Sequence, residues 1–267
     1  LSREEFLLQS VPLLLEATLS YDPAVRESAL ISLGRVAYQA TTPFIIEALA
    51  DSEESVRQAA YVALGLMSSV DATAVLIDTF NNSKDYNAKC FAAVGLGLSG
   101  RVDAADNLNN FFAIVAKKRS WRKIDDLIIA GLLAAKVNTN ADYTNNLMAI
   151  AKVMDKCKAS DELQVAAIDA LAATGNMQAI EILVKNIESR SEVVAESCVV
   201  SLGRLANKAA TSSLIQAFEN TNDSRLKGKI QIALGQIADT KATEFLANNR
   251  PSASAELYIR TSWMIAC

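Results

Sequence analysis

A Leu-Gly step returns along the chain at Leu33-Gly34, Leu64-Gly65, Leu96-Gly97, Leu202-Gly203 and Leu234-Gly235. The first three glycines stand 31 and 32 residues apart and the last two 32 apart, and a degraded copy, Leu171-Ala172, ends 31 residues before Gly203. Self-similarity at this period restricts the fold strongly. Each unit is too small to bury its own apolar face, so it must stack on its neighbours as a solenoid.

The copies align over thirteen residues, from DPAVRESALISLG (22 to 34) through EESVRQAAYVALG, DYNAKCFAAVGLG, SDELQVAAIDALA and SEVVAESCVVSLG to DSRLKGKIQIALG (223 to 235). An acidic residue or Ser comes first, an apolar anchor follows three later, a small or apolar residue four on, and a Leu four beyond that. Spacing of four and eight without alternation predicts a helix. Asp22, Asp85, Ser160, Ser191 and Asp223 fit N-caps, whose oxygens accept from unpaired amides of the first turn, and Pro23 fits the first helical position. Shorter apolar runs at 41 to 50, 71 to 80, 104 to 116, 176 to 187, 209 to 218 and 241 to 249 predict a partner helix for each template helix. One template column is almost always small: Ser32, Ala63, Gly95, Ala170, Ser201, Ala233 and Ala266. Small residues let helix backbones approach closely. The stretch from 98 to 159 fits the template poorly, and WRKIDDLIIAGLLAA (121 to 135) can be registered in two ways.

The template resembles the HEAT-repeat family, most closely its short bacterial form first described in phycobilin lyases. The resemblance rests on Val25-Arg26, Val56-Arg57, Ala88-Lys89, Leu226-Lys227 and Ile259-Arg260, each followed by the small, Leu and Gly pattern. It implies an all-α, right-handed α-solenoid of about seven to eight helix pairs over residues 1–267, whose second helices line a concave surface. It also implies that Arg26, Arg57, Lys89, Lys227 and Arg260 are structural residues of a polar ladder between repeats. The chain starts at Leu1 without Met and stops at Cys267 inside an eighth template helix, which predicts a piece of a longer protein.

Composition agrees and narrows the chemistry. An apolar fraction of 51% with only 6% aromatic suits an Ala- and Leu-rich helical stack. No apolar run approaches the roughly 20 residues that a membrane span needs, so no membrane insertion is expected. There is no histidine, which removes the commonest general base, the commonest zinc ligand and every His-dependent triad. Cys90, Cys157, Cys198 and Cys267 form no CxxC unit, and Cys198 and Cys267 fall in core columns, which predicts buried structural thiols. Gly95, Gly97 and Gly100 sit inside a helical template and not after a strand, unlike a phosphate loop. Asp125 and Asp126 are adjacent on a helix and face different ways, unlike an acid/base couple. No catalytic residue, metal site or cofactor is expected.

Charge is uneven: residues 1–83 carry net −7, 84–159 net +5 and 160–267 net −2. The positive centre is Lys117, Lys118, Arg119, Arg122 and Lys123 around Trp121. A basic cluster with an embedded aromatic can track phosphates and stack a base, and HEAT-like DNA glycosylases bring to mind Trp121 and Asp125, one turn apart. A solvated loop with Trp121 plugging the core accounts for the same residues, an acidic protein partner is a further option, and the acidic flanks disfavour nucleic acid.

Six residues beyond the anchor, a column that is usually polar and solvent-facing in such repeats reads Ile31, Val62, Val94, Asp169, Val200, Ile232 and Ile265. Leu66 and Leu98, one turn on, widen it. An exposed apolar strip marks a partner site, whereas tight curvature would bury it between neighbouring helices. The expectation is a non-enzymatic scaffold or adaptor that binds an unidentified protein partner through its concave face. The alternatives are a HEAT-type lyase or chaperone holding a tetrapyrrole or client protein, and nucleic-acid binding through the basic cluster.

Overall fold

The computed structural model describes residues 2–154, 156–252 and 257–267, which fold into α-helices without strands. Helices α1 (Arg3–Ala17) and α2 (Pro23–Val36) form the first pair. Then follow α3 (Thr42–Glu47) with α4 (Glu54–Met67), α5 (Val70–Asn82) with α6 (Tyr86–Ser99), and α7 (Val102–Val115) with α8 (Asp125–Val137). The chain continues with α9 (Thr144–Val153) and α10 (Asp161–Ala173), α11 (Ala179–Asn186) and α12 (Glu192–Leu205), α13 (Thr211–Asn220) and α14 (Ser224–Ile237), and α15 (Thr240–Asn248) and α16 (Leu257–Ala266). The even-numbered helices carry the template. Helices α1 and α9 lie outside the apolar runs identified above. The chain forms two compact units, residues 1–117 with 123–143, and residues 118–122 with 144–267.

The helix starts follow a local rule that repeats. Asp22, Asp85, Ser160 and Asp223 accept from first-turn amides as expected, and Pro23 occupies the first helical position. Ser191 takes the cap position, but its hydroxyl donates to Asp161 Oδ2 at 2.7 Å and caps nothing. Two residues before each of five template starts a second oxygen closes the turn: Ser20, Asp51, Ser83, Ser189 and Thr221 accept from the backbone N–H of Asp22, Glu53, Asp85, Ser191 and Asp223. These short side chains bond their own backbone two residues on, and so set the bend before the helix begins. At the other end the template helices close on a left-handed residue three beyond the Leu-Gly glycine: Ala37, Ser68, Gly100, Ala206 and Ala238, with φ between 49° and 59°. Only one of the five is glycine.

The Leu-Gly step is the packing device. The leucines Leu33, Leu64, Leu96, Leu202 and Leu234 are fully buried, each stabilising the fold by roughly 1.5 to 3 kcal/mol over exposure. The glycines meet the small column of the next template helix: a Cβ on Gly34 would lie 2.7 Å from the Ala63 backbone, and one on Gly65 2.6 Å from the Gly95 carbonyl. In the second unit, one on Gly203 would meet Ala233 at 2.9 Å and one on Gly235 the Ala266 carbonyl. Helix pairs of such short members are marginal alone, and this close stacking supplies what local propensity lacks.

The same device settles the ambiguous register of α8. A Cβ on Gly97 would lie 2.6 Å from Ala134 Cα, so Ala134 holds the small column and Leu127 the anchor. Two clamps fix that register. The Tyr86 hydroxyl on α6 accepts from the Leu127 N–H at 3.0 Å, serving as a cap supplied by the neighbouring helix. At the far end, the Asn138 amide donates to the carbonyls of Leu96 at 3.3 Å and Arg101 at 3.0 Å.

Candidate partner surface

With Leu127 as the anchor of α8, the sixth-residue column of the first unit reads Ile31, Val62, Val94 and Leu133 on four successive template helices. Ile31, Val62 and Val94 are half-buried and Leu133 is 48% exposed. One turn further, Leu66 and Leu98 are half-buried and Val137 is 59% exposed. Seven aliphatic side chains thus stand in two adjoining rows on one face, none buried. Leu133 and Val137 belong to it although the sequence alone did not assign them, because the register of α8 was open. Ala135-Lys136 in place of the Leu-Gly step was too weak a signal to choose it. Glu27, Glu54 and Asp126 flank these rows on the N-terminal side.

The second unit fills the same columns differently. Asp169 accepts from the Ser197 hydroxyl at 3.2 Å, Val200 is 42% exposed, Ile232 is half-buried and Ile265 is 70% exposed. The next row is Ala173, Arg204 and Gln236. Polar pairs link neighbouring template helices across this face: Glu196 with Lys229, Glu192 with Arg225 at 3.4 Å, and Ser197 with Asp169. The apolar strip is broken there.

The basic residues after the anchors do more within repeats than between them. Arg26 makes an inter-repeat rung: Nε and Nη2 donate to the two oxygens of Asp51 at 2.9 and 2.8 Å. That guanidinium holds the Asp51 carboxyl below the usual carboxylate range. Arg26 also donates to the Ser20 and Tyr21 carbonyls, Arg57 to those of Asp51 and Ser52 at 2.7 and 2.9 Å, and Lys89 to that of Asn81 at 2.8 Å. Gln164, in the same column, donates to the Ala159 carbonyl at 3.1 Å. The ladder expected at Arg57 and Lys89 is therefore corrected to a clamp, because a side chain one residue past the anchor points back along its helix toward the loop that precedes it. Lys227 lies over the Phe218 ring at 5.2 Å, and Arg260 borders a groove with Arg250, Trp263 and Met264.

Around residue 120 the expectations divide. Lys117, Lys118, Arg119, Arg122 and Lys123 are exposed, whereas Trp121 is fully buried. The indole is a core side chain and cannot stack a base. Nor do Trp121 and Asp125 share a helix, since α8 begins at Asp125. Burial raises the Asp125 carboxyl above its ordinary value, with the Asp126 charge adding to it. Cys198 is buried in the core and its thiol is pushed up to about 12 by burial and Asp169; Cys157 is buried and half-exposed Cys90 is pushed up to about 11. Cys267, expected in the core, is exposed. Among the described residues no cluster of Cys, Asp and Glu is placed to hold a metal ion, and no helix is long and apolar enough to cross a membrane.

Residues 11–97 and 147–235, more than half of the chain, match the family model of HEAT repeats. The chain belongs to the HEAT-repeat family. No protein of curated function matches it. Among solved structures, this HEAT-repeat chain is similar to the complex of CpcE and CpcF of phycocyanin lyase from Nostoc sp. PCC7120, at 20% identity and a TM-score of 0.51, covering 92% of this chain and 93% of that one. It is also similar to YibA of E. coli, at 14% identity and a TM-score of 0.62, covering 99% and 94%, and to an engineered protein at 16% identity and 0.50, covering 99% and 79%. At such identities these likenesses describe the fold.

Proposed function

We propose that this HEAT-repeat chain is a non-enzymatic scaffold or adaptor that binds a protein partner on the template-helix face of its first unit. The observation that carries the reading is the pair of aliphatic rows, Ile31, Val62, Val94 and Leu133 beside Leu66, Leu98 and Val137, each half-buried or exposed. Water-facing aliphatic residues in contiguous rows gain free energy only when something covers them, at about 25 cal/mol for each Å² removed from water. The test is comparative affinity capture with the wild type and a Val94→Asp, Leu133→Asp double variant. A charge set into an apolar contact must be desolvated without compensation, so the variant should keep its fold and lose a partner that the wild type retains. Identical capture by both folded proteins would remove the surface from consideration.

A tetrapyrrole in the same rows is the second reading, suggested by the fold likeness to the phycocyanin lyase complex. Co-expression with a bilin supply should then yield a coloured protein whose absorbance is lost in the same double variant. Colourless protein rejects this reading and leaves the first intact.

A further inference from the structure

The clamp that closes the loop before a template helix is missing in α12 of the second unit. Arg26, Arg57 and Gln164 each donate to a carbonyl of the loop leading into their own helix, and in α12 that position is Ala195. The loop itself is unchanged. Ser189 accepts from the Ser191 N–H at 3.2 Å as Asp51 accepts from Glu53, and the backbone at Ser191 (φ −84°, ψ 117°) matches that at Glu53 (φ −86°, ψ 128°). The carbonyls of Ser189 and Arg190 therefore correspond to those of Asp51 and Ser52, which Arg57 binds. Among the described residues they accept no hydrogen bond.

Where the clamp would lie there is a cavity of about 330 Å³, floored by Ala195, Ala217 and Leu226. Thr221, the counterpart of Asp51 in the rung that Arg26 makes, stands on its far side, and Glu188, Glu192 and Asp223 surround the mouth. Glu192 reaches Arg225 only through two exposed side chains at 3.4 Å, and among the described residues Glu188 and Asp223 form no ion pair. Apolar floor, exposed carbonyls and carboxylate mouth match the three parts of an arginine: alkyl stem, planar donor fork and charge. The sister repeats show the same backbone acceptors holding a guanidinium at 2.7 to 3.3 Å.

We propose that the cavity beside Ala195 is a socket for an arginine side chain presented by a protein partner, which completes in trans the clamp that α2, α4 and α10 make in cis. The site is separate from the apolar rows of the first unit and does not depend on them. The test is an amide NMR titration of the full chain with the blocked tripeptide acetyl-Gly-Arg-Gly-amide, its citrulline analogue and methylguanidinium. Saturable shifts at Ser189, Ala195 and Thr221 are expected with the arginine peptide, weaker ones with methylguanidinium, and none with citrulline, which keeps the shape and lacks the charge. Ala195→Arg should fill the socket, abolish the response and raise the melting temperature by about 2 to 4 °C, the rise expected for each kcal/mol gained at this chain length. Ala195→Lys serves as the filled form if the arginine variant does not fold. No saturable shift, equal response to citrulline, or an undiminished response in the filled variant overturns the socket. Equal binding of methylguanidinium and peptide overturns a partner side chain as its source.

Discussion

The two units are built on one template and use its outward columns in opposite ways. In the first, the sixth residue after the anchor is aliphatic on all four template helices and the tenth on three, with Arg35 the exception. In the second, Asp169 interrupts the sixth column and Arg204 and Gln236 occupy the tenth, while Glu196–Lys229, Glu192–Arg225 and Ser197–Asp169 tie neighbouring helices together. The inner columns hardly differ: buried Leu, glycine against a small residue, an oxygen closing the turn before the cap. The fold thus constrains the inward columns and leaves the outward ones free. One unit satisfies its outer face with its own side chains, and the other leaves aliphatic rows half-buried or exposed there.

The largest expected effect tests what the units share. Gly65→Ala in the first and Gly203→Ala in the second both drive a methyl into the facing helix, and overpacking of that kind costs roughly 1 to 3 kcal/mol. Gly65 faces backbone on both nearest atoms, so its loss should be the larger. Chemical denaturation that finds either variant as stable as the parent would show that the units do not stack by one mechanism.

A smaller gain should appear equally in both. Ala37 and Ala206 hold left-handed conformations at φ 53° and 49°, which cost a side-chain-bearing residue about 1 to 2 kcal/mol. Ala37→Gly and Ala206→Gly should each raise stability, by about 0.5 to 1 kcal/mol after the added entropy of the unfolded glycine is subtracted. A rise in one unit and a fall in the other would mean that the helix ends are set differently.

The smallest effects probe what divides them. Leu133→Asn and Val137→Asn in the first unit should move stability by less than about 0.5 kcal/mol, as exposed positions do. Glu196→Ala should lower it by up to about 1 kcal/mol, since it removes a partly exposed pair. Thermal scans showing the reverse order would make the aliphatic rows a structural seam.

What the sequence by itself determined was whatever is local and repeated. The period, the helix starts at Asp22, Asp85, Ser160 and Asp223, the small column and the burial of Cys198 all follow from residues a few positions apart, and each copy corroborates the others. The turn-closing oxygens at Ser20, Asp51, Ser83, Ser189 and Thr221 were equally present in the sequence, as a short polar residue two before the cap. The tertiary structure decided what depends on a neighbour. The register of α8 was settled only by Gly97 against Ala134 with Tyr86 and Asn138 at its ends, and with it the membership of Leu133 and Val137 in the aliphatic rows. The burial of Trp121, the backward reach of Arg57 and Lys89, and the space left beside Ala195 are likewise properties of what surrounds a side chain. Periodicity records which face of a helix turns inward, but not how far the next helix is shifted against it, and that shift fixes which side chains meet.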